Sequence, residues 1–322
     1  MMARLLGPIS SVYGAIAARR LEAANAYRSR LPVICVGNFT AGGSGKTPFS
    51  AMLVQLLIAR GERPVVLSRG YGGRTRGPHW VDGQRNTAIE VGDEPLLLAE
   101  FVPVMVARDR RAGAQAIEAS GKATVIVMDD GLQNGALVKD LSIAIVDGAR
   151  GVGNGLVIPA GPLRVPLKVQ GPYVQAIVFN GLAKAGLAQA LARDCSAPQL
   201  TARLEPACDV SWLKGQRVVA FAGIGNPARF FDMLSGFGAD IVERVSFADH
   251  AAFTDADARR LLGLAARHNA RLITTSKDHV RIQGSLKLEA LAAATAALPV
   301  AMTLATADRD VFARMLDRAL MR

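Results

Sequence analysis

Short apolar runs alternate with longer amphipathic stretches along most of the chain. The apolar runs predict strands that are buried on both faces of a sheet. They begin at Pro32, Val65, Phe101, Ala123, Leu141 and Ala176. Stretches with apolar residues at helical spacing separate them, as from Phe49 to Gly61. The alternation predicts an α/β fold, with a doubly wound parallel sheet over residues 31–200.

A second, smaller α/β unit is predicted after this sheet. The periodicity weakens over residues 201–216, which predicts a linker. Apolar runs then return at Arg217–Ala222 and at Arg271–Thr275, and Asn226 and Pro227 suit the cap and first position of a helix. We therefore expect a Rossmann-like C-terminal unit over residues 217–322.

Residues 1–30 have the pattern of an amphipathic helix. Apolar residues from Leu5 to Ile16 recur at spacings of three and four, and five arginines oppose the single acid Glu22. A basic amphipathic helix at a terminus binds an anionic membrane surface or docks on the core of its own protein. The pattern alone is compatible with both.

The first strand-to-helix junction carries a phosphate-binding pattern, PVICVGNFTAGGSGKTPFS. Backbone N–H groups and the helix N-terminus would face the anion, Lys46 would add a positive charge, and the Thr47 hydroxyl can ligate Mg²⁺. The nucleotide-binding candidates are Thr40, Ala41, Gly42, Gly43, Ser44, Gly45, Lys46 and Thr47. Because Thr40 stands where the generic motif has glycine, the alternative is a glycine-rich turn with a solvated lysine.

Acidic and basic side chains follow other predicted strands. Asp129 and Asp130 end an apolar run, which is how phosphate-loop enzymes bring carboxylates to Mg²⁺, although such pairs also form turns. Arg69 lies in a glycine-rich loop at a strand's carboxyl end, where ligands bind in open α/β sheets, and Arg164 lies in the Gly151–Pro166 loop. Asp93 stands where its side chain could cap the following helix. His250, taken by itself, indicates no particular function.

The amino-acid composition limits which binding partners and which cellular compartment we expect for the protein. The chain has 38 Lys and Arg against 27 Asp and Glu, a net charge of +11, which predicts an anionic partner. Aromatic residues make up only 5% and form no cluster, so we expect no nucleic-acid partner. The three cysteines form no CxxC pair, which predicts a reducing cytoplasm. No uncharged apolar run reaches the length of a membrane span, so we expect a soluble or peripheral protein.

The order of several segments resembles one family, the tetraacyldisaccharide 4′-kinases (LpxK) of lipid A synthesis. The resemblance covers nearly the whole chain. It rests on LLGPISSVYGAIAARR, VGNFTAGGSGKTP, SRGYGG, VGDEP, MDDGLQ, IPAGPLR, AGIGNPARFF, FADHAAFT and TTSKD. The chain departs from the family's usual DDGFQH at Leu132 and Asn134, and from its usual DHHPFT at Ala251 and Ala252.

The resemblance implies transfer of the γ-phosphoryl group of ATP, with Mg²⁺, to the 4′-hydroxyl of tetraacyldisaccharide 1-phosphate, giving lipid IVA. Asp93 would accept the hydroxyl proton, His250 would tune it from across a cleft, and Lys46 would complete the catalytic set. The predicted metal ligands are Thr47, Asp129 and Asp130. The predicted acceptor ligands are Arg69, Tyr71, Arg110, Gln133 and Arg164.

The resemblance further implies a peripheral protein on the cytoplasmic face of a Gram-negative inner membrane, in contact with an anionic membrane surface. Two other classes remain open at this point. One is another phosphate-loop kinase or ATPase with a soluble substrate, which would leave the basic N-terminal pattern without a role. The other is a nucleotide-dependent switch that binds membrane or nucleic acid, for which the net charge would be the main argument.

Overall fold

The computed structural model describes residues 6–22 and 25–321. Its strands are β1 (Val33–Gly37), β2 (Pro64–Ser68), β3 (His79–Trp80), β4 (Val104–Val106), β5 (Val125–Asp129), β6 (Leu141–Asp147), β7 (Ala176–Asn180), β8 (Gln199–Pro206), β9 (Arg217–Ala222), β10 (Asp240–Ser246), β11 (Arg271–Thr275), β12 (Thr295–Leu298) and β13 (Val300–Leu304). Its α-helices are α1 (Gly7–Leu21), α2 (Lys46–Ile58), α3 (Ala88–Val91), α4 (Asp93–Ala99), α5 (Arg110–Ser120), α6 (Leu167–Gln170), α7 (Leu187–Ala192), α8 (Pro227–Gly236), α9 (Asp255–His268), α10 (Ser276–Ile282), α11 (Glu289–Ala294) and α12 (Thr306–Leu320).

The larger sheet has nine strands in the order β13-β8-β7-β6-β1-β5-β2-β4-β3. All pairs are parallel except the two at the edges, β13 with β8 and β3 with β4. Alternate residues of β1 enter different cores: Ile34 and Val36 pack with α2 and α12, and Val33 and Cys35 pack with α5. Helices thus cover both faces of a largely parallel sheet, which confirms the predicted α/β class.

The smaller sheet is all parallel, with the strand order β10-β9-β11-β12. Its two faces also carry separate cores, one centred on Phe221 under α9 and the other on Leu234 of α8. Thr254 caps α9, because its hydroxyl accepts the Asp257 N–H and the Asp257 carboxylate accepts the Thr254 N–H. The smaller unit is therefore parallel α/β, with βα junctions at its strand ends.

The boundary between the units differs from the predicted one. Residues 201–216 are not a continuous linker, since β8 extends the larger sheet through Pro206. Nor does the C-terminal unit run from 217 to the end, because β13 pairs with β8 and Phe312 of α12 packs edge-on against Phe49 at 5.8 Å. The physical reason is that β13 covers the hydrogen-bonding edge of β8, a long-range pairing that local periodicity does not encode.

The N-terminal helix is shorter than predicted. The predicted range 1–30 includes residues 1–5 and 23–24, with Leu5, which lie outside the described residues. Of the remainder, α1 ends at Leu21, and the chain near Tyr27 pairs instead with Leu137. This extended pairing explains the difference, since a helix could not donate the Tyr27 N–H to Ala136 at 2.8 Å.

The buried residues of α1 are Ser10, Gly14 and, at its end, Leu21. The Ser10 hydroxyl donates to the Val157 carbonyl at 2.6 Å, and Gly14 lies against Pro166. The apolar side chains that define the predicted pattern are exposed instead: the exposed fraction is 60% for Ile9 and 62% for Val12. Of the two alternatives that the pattern left open, docking of that apolar face on the protein's own core is therefore not seen among the described residues. Among the described residues, no helix is long and apolar enough to cross a bilayer.

Candidate active site

The glycine loop between β1 and α2 has the geometry of a phosphate cradle. Gly45 adopts φ +95° just before the helix, and a Cβ there would lie 2.5 Å from Asn180 Nδ2. That Asn180 amide holds the loop by donating to the Ser44 carbonyl at 3.0 Å. The Ser44 hydroxyl is buried without a hydrogen-bond partner among the described residues. The loop therefore has a fixed shape and an unsatisfied polar group that an anion could engage.

The first two residues of the predicted nucleotide-binding stretch, Thr40 and Ala41, make contacts within the protein. Thr40 forms a bridge with Leu163, and the Ala41 N–H donates to the Pro162 carbonyl at 2.8 Å. Because that amide is already satisfied, it has no proton left for a phosphate. The binding role predicted for Thr40 and Ala41 stays a prediction, and the free part of the loop is residues 42–47.

Two carboxylates lie beside the loop at the end of β5. Burial raises the pKa of Asp129 to about 7, with Glu94 and Asp130 adding to the rise. The Ser50 hydroxyl donates to Asp129 at 2.8 Å. Burial alone would also raise the pKa of Asp130, but Lys46 at 3.8 Å and Arg164 hold it below its usual range. Among the described residues no cation forms an ion pair with Asp129, and the charge of Lys46 only partly offsets the effect of burial on its pKa.

The oxygen atoms here suit a hard divalent cation. Carboxylates of Asp129 and Asp130 and the hydroxyl of Thr47 are the ligand type that Mg²⁺ prefers. No group of three or more His, Cys, Asp or Glu that could hold a metal occurs within residues 6–22 and 25–321. A Mg²⁺ ion held by Thr47, Asp129 and Asp130 would complete its coordination with phosphate oxygens and water, as is usual for this ion.

Asp93 and His250, which are 157 residues apart in sequence, meet across the two units. Asp93 opens α4 and is 3% exposed, and its Oδ2 lies 3.2 Å from His250 Nδ1. Its Oδ1 accepts the backbone N–H of Glu94 at 2.9 Å. The predicted proximity of this pair is confirmed by the geometry.

The surroundings keep Asp93 ionised. Burial alone would raise the pKa of Asp93, but the His250 hydrogen bond and the charges of Lys277 and Arg281 together hold it below its ordinary value. Arg281 Nε lies 3.2 Å from Asp93 Oδ2. A buried, ionised carboxylate between two units is a chemically competent proton acceptor.

Of three further predicted acceptor ligands, Tyr71 contacts His250, Arg69 lies on the same loop as Tyr71, and Arg110 begins α5. Tyr71 is exposed, and its ring meets the His250 ring edge-on at 5.1 Å. Arg69 is exposed on the same loop. Arg110 is 3% exposed, its Nε has no hydrogen-bond partner among the described residues, and burial lowers its pKa to about 10. An unpartnered buried guanidinium nitrogen is costly unless a ligand satisfies it.

The other two predicted ligands are engaged within the protein. Arg164 binds both oxygens of Asp130, at 2.9 and 3.0 Å. The Gln133 amide donates to the Asn38 carbonyl at 2.7 Å and to Gln170 at 2.8 Å. Their contacts favour a supporting role around the loop and Asp130, so their predicted contact with an acceptor remains untested.

A cavity of about 620 Å³ connects the phosphate loop with the smaller unit. Lys46, Thr47 and Glu94 line one part of it, and Phe230 and Met302 line an apolar part. A volume in this range with both polar and apolar lining residues suits a nucleotide. A nucleotide bound there would share the cavity with Glu94, the neighbour of Asp93.

Sequence reasoning missed several residues of the site, namely Ser50, Glu94, Asn180, Arg229, Lys277 and Arg281. Arg229 of the smaller unit donates to Asn180 Oδ1 at 2.8 Å, so it supports the residue that holds the phosphate loop. The only available signals were adjacency, for Glu94, and the TTSKD segment, for Lys277. Neither signal assigns a partner, because the partners lie far away in sequence.

Comparisons with known proteins agree over nearly the full chain. The family model of tetraacyldisaccharide-1-P 4′-kinase, LpxK, matches residues 2–321. A tetraacyldisaccharide 4′-kinase of Methylorubrum extorquens is 49% identical, covering 100% of this chain and 95% of the relative. One of Rhodopseudomonas palustris is 48% identical over 95% of this chain and 90% of its own. The "apo" form of LpxK from Aquifex aeolicus in complex with ATP has a TM-score of 0.77 at 27% identity, covering 99% of this chain and 100% of its own.

Proposed function

The chain belongs to the LpxK family and is an ATP-dependent tetraacyldisaccharide 4′-kinase of lipid A synthesis, and we propose that Asp93 is its general base. The observation that carries the proposal is a buried, ionised carboxylate held at 3.2 Å from His250 beside the cavity of the phosphate loop. Asp93 would take the proton of the 4′-hydroxyl as that oxygen attacks the γ-phosphorus of ATP.

The phosphate loop would bind and orient the donor. Lys46 would place its positive charge near the β- and γ-phosphates, and the backbone N–H groups of residues 42–47 would donate hydrogen bonds to them. Asn180 keeps the loop in place through the Ser44 carbonyl. Bound Mg²⁺ would be held by Thr47, Asp129 and Asp130 and would neutralise phosphate charge that develops during transfer. Arg164 would keep Asp130 oriented, since it binds both carboxylate oxygens.

The acceptor would bind at the loop that follows β2. Tyr71 is exposed and its ring contacts His250, and Arg69 is exposed on the same loop, so a sugar ring and a phosphate could contact them. The Nε–H of Arg110, which has no partner among the described residues, would donate to the acceptor. Replacing Arg69 by Met should raise KM for the lipid and leave KM for ATP unchanged, whereas an equal effect on both would contradict acceptor binding.

The reaction itself is tested by transfer of label from γ-labelled ATP to tetraacyldisaccharide 1-phosphate in detergent micelles. We expect labelled lipid that requires Mg²⁺ and that disappears in Lys46→Ala. A Lys287→Ala variant, which removes an exposed lysine outside the cavity, serves as the control. ATP hydrolysis without labelled lipid would instead favour a phosphate-loop ATPase.

We further propose that α1 holds the protein on the cytoplasmic face of the inner membrane. Ile9, Val12 and Ile16 are exposed on one helix while Ser10 and Gly14 face the protein, so the apolar side chains are free to enter a membrane interface. The net charge of +11 favours anionic lipid. This position would bring the enzyme to its acylated substrate.

The membrane role is tested with vesicles of phosphatidylethanolamine and phosphatidylglycerol. The triple variant Ile9→Gln/Val12→Gln/Ile16→Gln should partition less to vesicles than the unchanged protein, with ATP binding preserved. Leu286→Gln, which removes an apolar side chain that is 93% exposed on the smaller unit, is the matched control. Equal partitioning of the triple variant and the unchanged protein would contradict the proposal.

A further inference from the structure

Lys277 enters the contact between Asp93 and His250 from the smaller unit. Its Nζ lies 3.3 Å from His250 Nε2 and 3.2 Å from Glu94 Oε1. Asp93 Oδ2 is 3.9 Å away, and the lysine side chain is 19% exposed. The ammonium group therefore contacts Nε2, the imidazole nitrogen that is not hydrogen-bonded to Asp93, while it also remains near the Asp93 carboxylate.

The backbone fixes where Lys277 can reach. Thr275 caps α10 by accepting the Asp278 N–H at 3.1 Å. Asp278 is fully buried, and its carboxylate accepts the Gly223 N–H and pairs with Arg281 at 2.7 Å. The first turn of α10 is thus tied to the end of β9, so Lys277 projects from a rigid helix start.

The lysine decides which nitrogen of His250 carries the proton. An ammonium group has three donors and no acceptor, so the Nε2 that it faces must accept. The single proton of a neutral imidazole then lies on Nδ1, which donates to Asp93 Oδ2. Although burial would lower the pKa of Lys277, Glu94, Asp93 and Asp249 raise it above its ordinary value, so the group is charged.

Other groups around the ring are consistent with this arrangement. Asp249 Oδ1 lies 3.8 Å from Nε2 and would favour a proton there, but Lys277 is closer. Arg281 faces the Asp93 carboxylate rather than the ring, and Tyr71 presents only its ring edge or face. Without Lys277, Asp249 would be the nearest described charge to Nε2.

We propose that Lys277 is a positioning residue of the transfer reaction, which holds His250 as the Nδ1–H tautomer and thereby orients the Asp93 carboxylate. Asp93 Oδ2 is then occupied by His250 and Arg281. Among the described residues, Oδ1 accepts only the Glu94 N–H, which leaves a lone pair for the proton of the acceptor hydroxyl. The catalytic part of this inference rests on the proposed role of Asp93, whereas the tautomer does not.

Nitrogen-15 NMR of the histidine ring tests the tautomer without turnover. The His250 signals are assigned by their loss in His250→Gln, and long-range proton–nitrogen correlations distinguish a protonated Nδ1 from a protonated Nε2. We expect a protonated Nδ1 and an unprotonated Nε2 in the intact protein. In Lys277→Met we expect a proton on Nε2, while Lys287→Met should leave the spectrum unchanged.

Kinetics with γ-labelled ATP and the lipid acceptor test the consequence. Lys277→Met should lower kcat about 100-fold, as expected when a catalytic group is misplaced by about 1 Å, with KM for ATP unchanged. Lys277→Arg keeps a donor-only cation and should recover most of the loss. Asp93→Asn, measured beside them, reports separately on the base.

Two results would overturn the inference. A protonated Nε2 in the intact protein, or a His250 spectrum that Lys277→Met leaves unchanged, would remove the tautomer argument. A raised KM for ATP with unchanged kcat in Lys277→Met would make the lysine a phosphate ligand instead. Full activity of Asp93→Asn would rule out Asp93 as the general base, but it would leave the assignment of the His250 tautomer unchanged.

Discussion

Replacing Asp129 by Asn should stabilise the nucleotide-free protein at alkaline pH although it removes a site residue. Burial raises the pKa of this carboxyl from 3.8 to about 7. A rise of roughly three units corresponds to about 4 kcal/mol of unfavourable ionisation in the folded state. The cost is absent below about pH 4, grows up to about pH 7 and is complete above it. We therefore expect Asp129→Asn to raise the free energy of unfolding at pH 8 by about 2–4 kcal/mol.

The neighbouring Asp130→Asn is the matched comparison, because its sign should be opposite. Lys46 and Arg164 hold the pKa of Asp130 below its usual value against the effect of burial, so its ionised form stabilises the fold above the unfolded pKa. That contribution is lost as the pH falls through the folded pKa. Asp130→Asn should therefore destabilise the protein at pH 8.

Urea unfolding from pH 4 to pH 8.5, without ATP or Mg²⁺, measures both variants. The gain from Asp129→Asn should vanish near pH 4. With ATP and Mg²⁺ present, the intact protein should gain stability by mass action and Asp129→Asn should gain less. Equal destabilisation by the two variants at pH 8 would refute the assignment of Asp129 as a buried acid with a raised pKa.

Two further substitutions test the loop and the contact between the units. Gly45→Ala should weaken ATP binding measured by calorimetry, because Gly45 has φ +95° and the added Cβ would collide with Asn180. Gly263→Ala is the control, since an added Cβ there meets no atom within 4 Å and ATP binding should be unchanged. Equal ATP affinities of the two variants would contradict a fixed shape of the loop. Arg281→Met should lower the free energy of unfolding by about 3–5 kcal/mol, since it leaves the buried Asp278 unpaired, and a loss below 1 kcal/mol in urea would contradict that ion pair's role.

Contiguous segments were predictable because each carries its own physical signal. The strand, glycine loop and helix from Pro32 to Gly61 follow from β-branched residues, glycines and helical spacing within one stretch. The Asp129–Asp130 pair was predictable as a strand end for the same reason. The pairing of Asp93 with His250 was not, and it came only from the resemblance of whole motifs to a family.

Features that depend on distant partners were missed. The pairing of β8 with β13 joins residues about a hundred positions apart. The residues of β8 alternate between polar and apolar, but that local pattern does not identify the partner strand. Lys277 has no local pattern that distinguishes it from a solvated lysine, since its partners Glu94 and His250 come from other elements. Ile9 of α1 points outward because the helix packs against the protein with the face that carries Ser10 and Gly14, and the helical pattern alone does not reveal which face is packed.

The most direct test of the mechanism is single-turnover transfer of labelled phosphate to the lipid by Asp93→Asn. Asp232→Asn, an exposed acid on α8, is the control. The account predicts a loss of about 100- to 10,000-fold in the transfer rate for Asp93→Asn, with ATP affinity unchanged and the control unaffected. Transfer by Asp93→Asn at close to the rate of the unchanged protein would contradict a general base at this position.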